Sequence, residues 1–117
     1  MRLATVASQP IPPPTADFEG MAAKAREAAH FLKALAHESR LMILCLLCEG
    51  ERSVTELEQI LALRQPTVSQ QLARLRTEGL VATRREGKTI YYSLAGAETR
   101  VVIEALHAVF CRWRAGG

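Results

Sequence analysis

From residue 17 to residue 35 the apolar side chains Phe18, Met21, Ala22, Ala25, Ala28, Ala29, Leu32 and Leu35 recur at three- and four-residue steps. That is a helical period and predicts a first helix. The stretch "AHESRLMILCLLCEG" predicts a second, opening near His37 and Glu38 and closing at Gly50. It is apolar nearly all round, so it should lie at the centre of the fold. "SVTELEQILAL" opens with Ser53 and has Glu56 three residues on, the spacing of a capping box, with Leu57, Ile60 and Leu61 on one face of a third helix. After a short "RQ" connection, Pro66 suits the first position of a fourth helix, "PTVSQQLARLRTEG", which ends at Gly79 and turns Val68, Leu72 and Leu75 inward. "LVATRREGKTIYYSL" alternates and is rich in Val, Thr, Ile and Tyr, predicting a β-hairpin that turns at Glu86 and Gly87. A last helix follows in "GAETRVVIEALHAVFCRW", with Val101 or Val102, Ala105, Leu106, Val109 and Phe110 at helical spacing, and ends close to Trp113.

Two short helices, a tight turn and a basic hairpin describe a winged helix-turn-helix, mainly α, with five helices and two strands. Burying Val68, Leu72 and Leu75 forces Thr67, Gln70, Gln71 and Arg74 onto the opposite face of the fourth helix. Gln can pair with the edge of adenine, Arg with guanine or phosphate, and Thr with phosphate or a thymine methyl. Ser69, at the margin of that face, suits a phosphate; Arg84, Arg85 and Lys88 would grip backbone or minor groove beside it. Any one of these side chains is equally consistent with a solvated surface. A winged helix that only binds protein has the same outline, but it has no need of a cationic wing tip.

The charge distribution supports the DNA reading. The chain carries a net charge of +3, yet residues 64–88 hold six basic side chains (Arg64, Arg74, Arg76, Arg84, Arg85, Lys88) against Glu78 and Glu86. Such a local excess suits a polyanion. A length of 117 residues and an apolar content of 49% suit one domain, expected over residues 17–114 behind a flexible Pro-rich tail over residues 1–16. No run of 18 apolar residues occurs and the amino terminus has no apolar signal core, so a cytoplasmic protein without membrane contact is expected. With no phosphate loop, dinucleotide fingerprint or carboxylate pair placed for acid and base work, neither an enzyme nor a bound cofactor is expected.

Three cysteines, Cys45, Cys48 and Cys111, are an odd number without an export signal, which favours thiols reduced at rest. Cys45 and Cys48 form a CxxC element deep in the second helix. Their Cβ atoms would stand about 5 to 6 Å apart, whereas a disulfide wants about 3.8 Å. Redox-enzyme CxxC motifs open a helix after a strand, where the dipole lowers the thiol pKa, and this one does not. Packing, metal ligation and a switch between elements stay open.

"LKALAHESRL", "TVSQQLARLRTEGLV" and "REGKTIYYSL", in that order, resemble the ArsR family of small bacterial repressors, over roughly residues 18 to 113. The resemblance implies a homodimer on operator DNA, paired through its first and last helices, with half-sites about 34 to 36 Å apart. It also implies release from DNA when an inducer binds. The Cys-x-Cys element that many metal sensors of the family carry in the third helix is missing from "SVTELEQIL", and the last helix offers only Glu104 and His107 for a carboxylate and histidine zinc site. "LMILC" with "VFC" resembles the reactive-sulfur sensors of the SqrR and BigR type, which carry one cysteine in each of these two helices. Carried over to this chain, that role makes Cys45 and Cys111 the sensing dithiol. Attack of one thiolate on a sulfane sulfur gives a persulfide, the second thiol condenses with it, and the second helix becomes tied to the last. The regulated genes would then serve sulfide oxidation or detoxification. Cys48 departs from the two-cysteine pattern. It is packing, a third thiol, or part of the alternative, a soft-metal or arsenite site of Cys45, Cys48, His107 and Cys111.

Overall fold

The structure is a computed structural model that describes residues 18–111. The expected tail over residues 1–16, the helix end near Trp113 and the side chain of Cys111 lie outside the described residues. Five helices and three strands follow one another as α1 (Phe18–Leu35), α2 (Glu38–Glu49), β1 (Arg52–Ser53), α3 (Val54–Leu61), α4 (Gln65–Thr77), β2 (Val81–Glu86), β3 (Thr89–Leu94) and α5 (Ala97–Leu106). A single π-helical turn, His107–Cys111, continues α5.

The helix starts are set by local chemistry. His37 caps α2, its Nδ1 accepting the Ser39 N–H at 3.2 Å. Ser53 caps α3 reciprocally: its Oγ accepts the Glu56 N–H at 3.1 Å, and Glu56 Oε1 accepts the Ser53 N–H at 2.8 Å. The third helix ends at Ala62, held in the left-handed region at φ 54°, a cap usually given to Gly or Asn. Gln65 is the first residue of α4, so Pro66 sits at the second position, one later than expected, where its missing N–H is still harmless.

Two strands were expected and the sheet has three, antiparallel in the order β1-β3-β2. The extra strand is only Arg52–Ser53, paired with Tyr92 and Tyr91. The hairpin register pairs Glu86 with Thr89, so the loop is Gly87 and Lys88 rather than Glu86 and Gly87. Gly87 has φ 63° while Lys88 is not in the positive region, the pattern of a II′ turn that needs Gly first.

The core draws on every helix and on β2 and β3. Ile43, Leu44 and Leu47 from α2 meet Leu57 of α3, Val68, Leu72 and Leu75 of α4 and Ile103 of α5, all essentially without solvent contact. Each such side chain contributes about 1.5 to 3 kcal/mol on burial. Helix α2 is therefore central, as its composition predicts. Ile60 departs from expectation at 49% exposed. It sits ~60° around α3 from the buried Leu57, past the edge of the contact, while Leu61 at ~40° on the other side is half-buried.

Candidate nucleic-acid interface and thiol site

Helix α4 is held by Val68, Leu72 and Leu75, all at 0% exposure, and this fixes what its other face presents. Gln70 and Arg74 are exposed, and Thr67, Ser69 and Gln71 are half-buried at the margins. Two of the polar side chains are held in place. Ser69 Oγ accepts Gln65 Nε2 at 2.7 Å, and Arg74 Nε lies 3.5 Å from Glu78, four residues on. Glu78 also bonds His30 Nε2 of α1 at 2.8 Å. Arg64, which immediately precedes α4, and Arg76 are exposed too. Sequence reading counts them in the basic stretch without giving them a role.

The wing divides its charge. Arg85 and Lys88 are exposed and make none of the ion pairs found among the described residues. Arg84 is different. Its Nε donates to Glu51 Oε1 at 3.0 Å and Oε2 at 2.9 Å, its Nη2 to Glu51 Oε1 at 2.8 Å, and its Nη1 to Glu86 Oε2 at 2.6 Å. The guanidinium also lies 4.8 Å from the centroid of the Tyr91 ring. The hydrogen bonds it donates to Glu51, then the one to Glu86, push its pKa further above the ordinary arginine range. The expected phosphate grip of Arg84 is thus already engaged by two carboxylates. Sequence spacing shows Glu86 as its neighbour at i+2, but Glu51 meets it only through the β1–β3–β2 sheet.

On the far side of α2, Cys45 is 8% exposed and lines a cavity of about 490 Å³ with Leu32, Leu35, Ala36, Leu41, Leu106 and Phe110. The wall is apolar throughout. Phe110 immediately precedes Cys111, so the cavity joins the Cys45 position of α2 to the end of the last helix. Cys48 is half-buried and packs against the core cluster. His107 turns to Glu49, its Nε2 2.9 Å from Oε2. Among the described residues no group of three or more His, Cys, Asp or Glu side chains converges to hold a metal ion. The proposed fourth ligand, the Cys111 thiol, lies outside that description.

A helix-turn-helix whose recognition face is polar, followed by a charged two-residue hairpin tip, defines a winged-helix DNA-binding protein. Residues 37–83 match the family model described as a bacterial regulatory protein of the arsR family. The biofilm growth-associated repressor of Agrobacterium fabrum is 55% identical over 91 residues, covering 78% of each chain. The transcriptional activator HlyU of Vibrio cholerae is 44% identical over 96 residues, covering 82% of this chain and 89% of its own. The crystal structure of the transcriptional repressor BigR from Xylella fastidiosa superposes with a TM-score of 0.77 at 48% identity, covering 81% of this chain and 94% of that one. The chain belongs to the ArsR family and is a winged-helix transcriptional repressor of that family rather than an enzyme. No helix among the described residues is long and apolar enough to cross a membrane.

Proposed function

We propose that the protein is a dithiol-switched repressor, a homodimer on operator DNA that lets go when sulfane sulfur bridges Cys45 and Cys111. The observation that carries this reading is the apolar cavity shared by Cys45 and Phe110. It brings the backbone next to Cys111 to the wall that holds Cys45, whose own exposure is 8%. One relative supports the reading: a solved structure 45% identical to this chain is of HlyU from Vibrio cholerae in its reduced form.

In this mechanism each thiolate attacks the terminal sulfur of a persulfide donor and expels the donor thiolate, leaving a persulfide on Cys45 and another on Cys111. The Cys45 persulfide then attacks the inner sulfur of the Cys111 persulfide and expels hydrosulfide. The product is a Cys45–S–S–S–Cys111 bridge, one sulfur heavier and two hydrogens lighter than the dithiol. Both oxidising equivalents come from the donor. Because α2 packs beneath α4, a tie from α2 to the last helix alters the support of the recognition helix.

The dimer is supported by apolar side chains that one chain leaves uncovered. Phe18 (68%), Met21 and Leu32 of α1, Val101 of α5, and Val109 and Phe110 of the π turn are all exposed. Patches of that kind mark association surfaces. Thr67, Ser69, Gln70, Gln71 and Arg74 would meet the major groove, with Arg85 and Lys88 on adjacent phosphate and Arg84 bracing the wing.

The test is intact mass and peptide mapping of the reduced protein after treatment with a persulfide donor, with a DNA titration at fixed salt. The expected result is a Cys45 to Cys111 crosslink carrying added sulfur, together with weakened binding. Absence of any crosslink with unchanged DNA affinity would overturn the switch and leave a repressor with another inducer.

A further inference from the structure

The Glu49–His107 pair stands one helical turn from the thiol positions on both of the elements it joins. Glu49 is four residues after Cys45 on α2, and His107 is four residues before Cys111 on the π turn. The contact runs antiparallel: Glu49 meets His107, and, four residues back along α2, Cys45 shares its cavity with Phe110. The chain after His107 thus runs toward the Cys45 end of α2. The pair's side chains are 22% exposed for His107 and 24% for Glu49, less than those of the Arg84–Glu51 wing pair. A partly desolvated imidazole–carboxylate bond holds its geometry better than an exposed one. Glu49 Oε1 is in turn 3.8 Å from Arg52 Nη2 of β1, which orients the carboxylate from the sheet side.

We propose that Glu49 and His107 are positioning residues that clamp the π turn to α2 and set the separation across which the two thiols react. This rests on the dithiol reading above. Two features of the turn make the clamp necessary. A π turn is a wide, uncommon element, and within one chain Val109 and Phe110 stay more than half exposed, while the fully buried Ile103 lies a full turn earlier in α5. Beside the cavity wall of Leu106 and Phe110, the Glu49–His107 bond is a polar tie from the chain after Leu106 to α2. A clamped separation favours the longer trisulfide bridge over a plain disulfide. An unclamped turn can close on either.

The experiment compares full-length wild type with Glu49→Ala, His107→Ala, the double variant and Glu49→Gln. Persulfide donor and hydrogen peroxide are applied separately, and products are resolved by mass. Both alanine variants are expected to form the trisulfide crosslink about tenfold more slowly, within the usual range for coupled contacting pairs. They should also gain a peroxide-driven plain disulfide. The double variant should be no slower than either single one, and Glu49→Gln, which keeps an acceptor for His107, should return most of the rate. Persulfidation of Cys45 measured in a Cys111→Ser background should not change, a readout that separates positioning from general loss of structure. Unchanged crosslinking in the alanine variants, or losses that simply add, would overturn the clamp while leaving the dithiol switch intact. A wild type that forms no crosslink overturns both.

Discussion

Arg84 and Glu51 are joined across 33 residues of sequence by Nε and Nη2 of the guanidinium, at 2.8 to 3.0 Å from the carboxylate oxygens. The bond spans the sheet, from the residue before β1 to the middle of β2, and Glu86 holds the remaining arm. A wing with four charged residues in its outer half thus presents its positive charge through Arg85 and Lys88. Arg84 stiffens the strand that carries them. Bidentate arginine–carboxylate geometry adds direction as well as attraction, so the wing leaves the sheet at a defined angle.

The salt dependence of DNA binding should therefore separate these three residues. Lys88→Ala and Arg85→Ala are each expected to lower the slope of log K against log salt by about 0.9, the loss of one phosphate contact. Glu51→Gln should act in the opposite sense, because it loosens the hold on Arg84 and raises affinity for random DNA. Fluorescence anisotropy titrations at several salt concentrations give all three values. An unchanged slope in both Lys88→Ala and Arg85→Ala would remove the wing tip from the interface.

Base reading should concentrate in α4. Gln70 is exposed on the face opposite Leu72 and Leu75, with no bond among the described residues to restrain it. Gln70→Ala is expected to cost about 1 to 3 kcal/mol on operator DNA and close to nothing on random DNA. Equal losses on both would make Gln70 a backbone contact.

These expectations rest on features of unequal visibility in the sequence. The Ser53 and Glu56 capping box, the inward trio of α4 and the hairpin are local patterns, and the structure has them. Strand β1 is not local. Two residues cannot show an alternation, and Arg52–Ser53 becomes a strand only because Tyr91 and Tyr92 of β3 lie beside it. The Glu51 partner of Arg84 was hidden for the same reason, and so was the Glu49 partner of His107, 58 residues away. Ile60 followed the helical period but fell outside the contact, since periodicity gives a face and the neighbouring helix decides how wide a part of it is covered. Nothing in "HAVFC" signals the π turn over His107–Cys111.

Ser53 carries two local duties, capping α3 and pairing with Tyr91 in the sheet, and it is 7% exposed. Ser53→Ala removes the side-chain acceptor for the Glu56 N–H and leaves the strand bond in place. The expected loss is about 1 kcal/mol, which lowers Tm by about 4 to 8 °C in a domain of this size. Thermal denaturation of the two proteins under matched concentration measures it. A change in Tm below one degree would mean that water replaces the cap without cost.

Cys48 sits three residues beyond Cys45 on α2 and is half-buried against the core, whereas Cys45 lines the cavity with Leu106 and Phe110. The two thiols stand ~60° apart around one helix, and of the two it is Cys45 that lines the cavity shared with Leu106 and Phe110. Cys48→Ser is expected to keep both the crosslink and the loss of DNA affinity on persulfide treatment, with a stability loss of about 1 kcal/mol for placing a hydroxyl partly in the core. Cys45→Ser should abolish crosslink and response together. Mass mapping and DNA titration of the two variants side by side decide between a two-thiol switch and a three-thiol site. If Cys48→Ser fails to respond while folding normally, the third thiol takes part in sensing, and titration with arsenite or a soft divalent metal becomes the discriminating measurement.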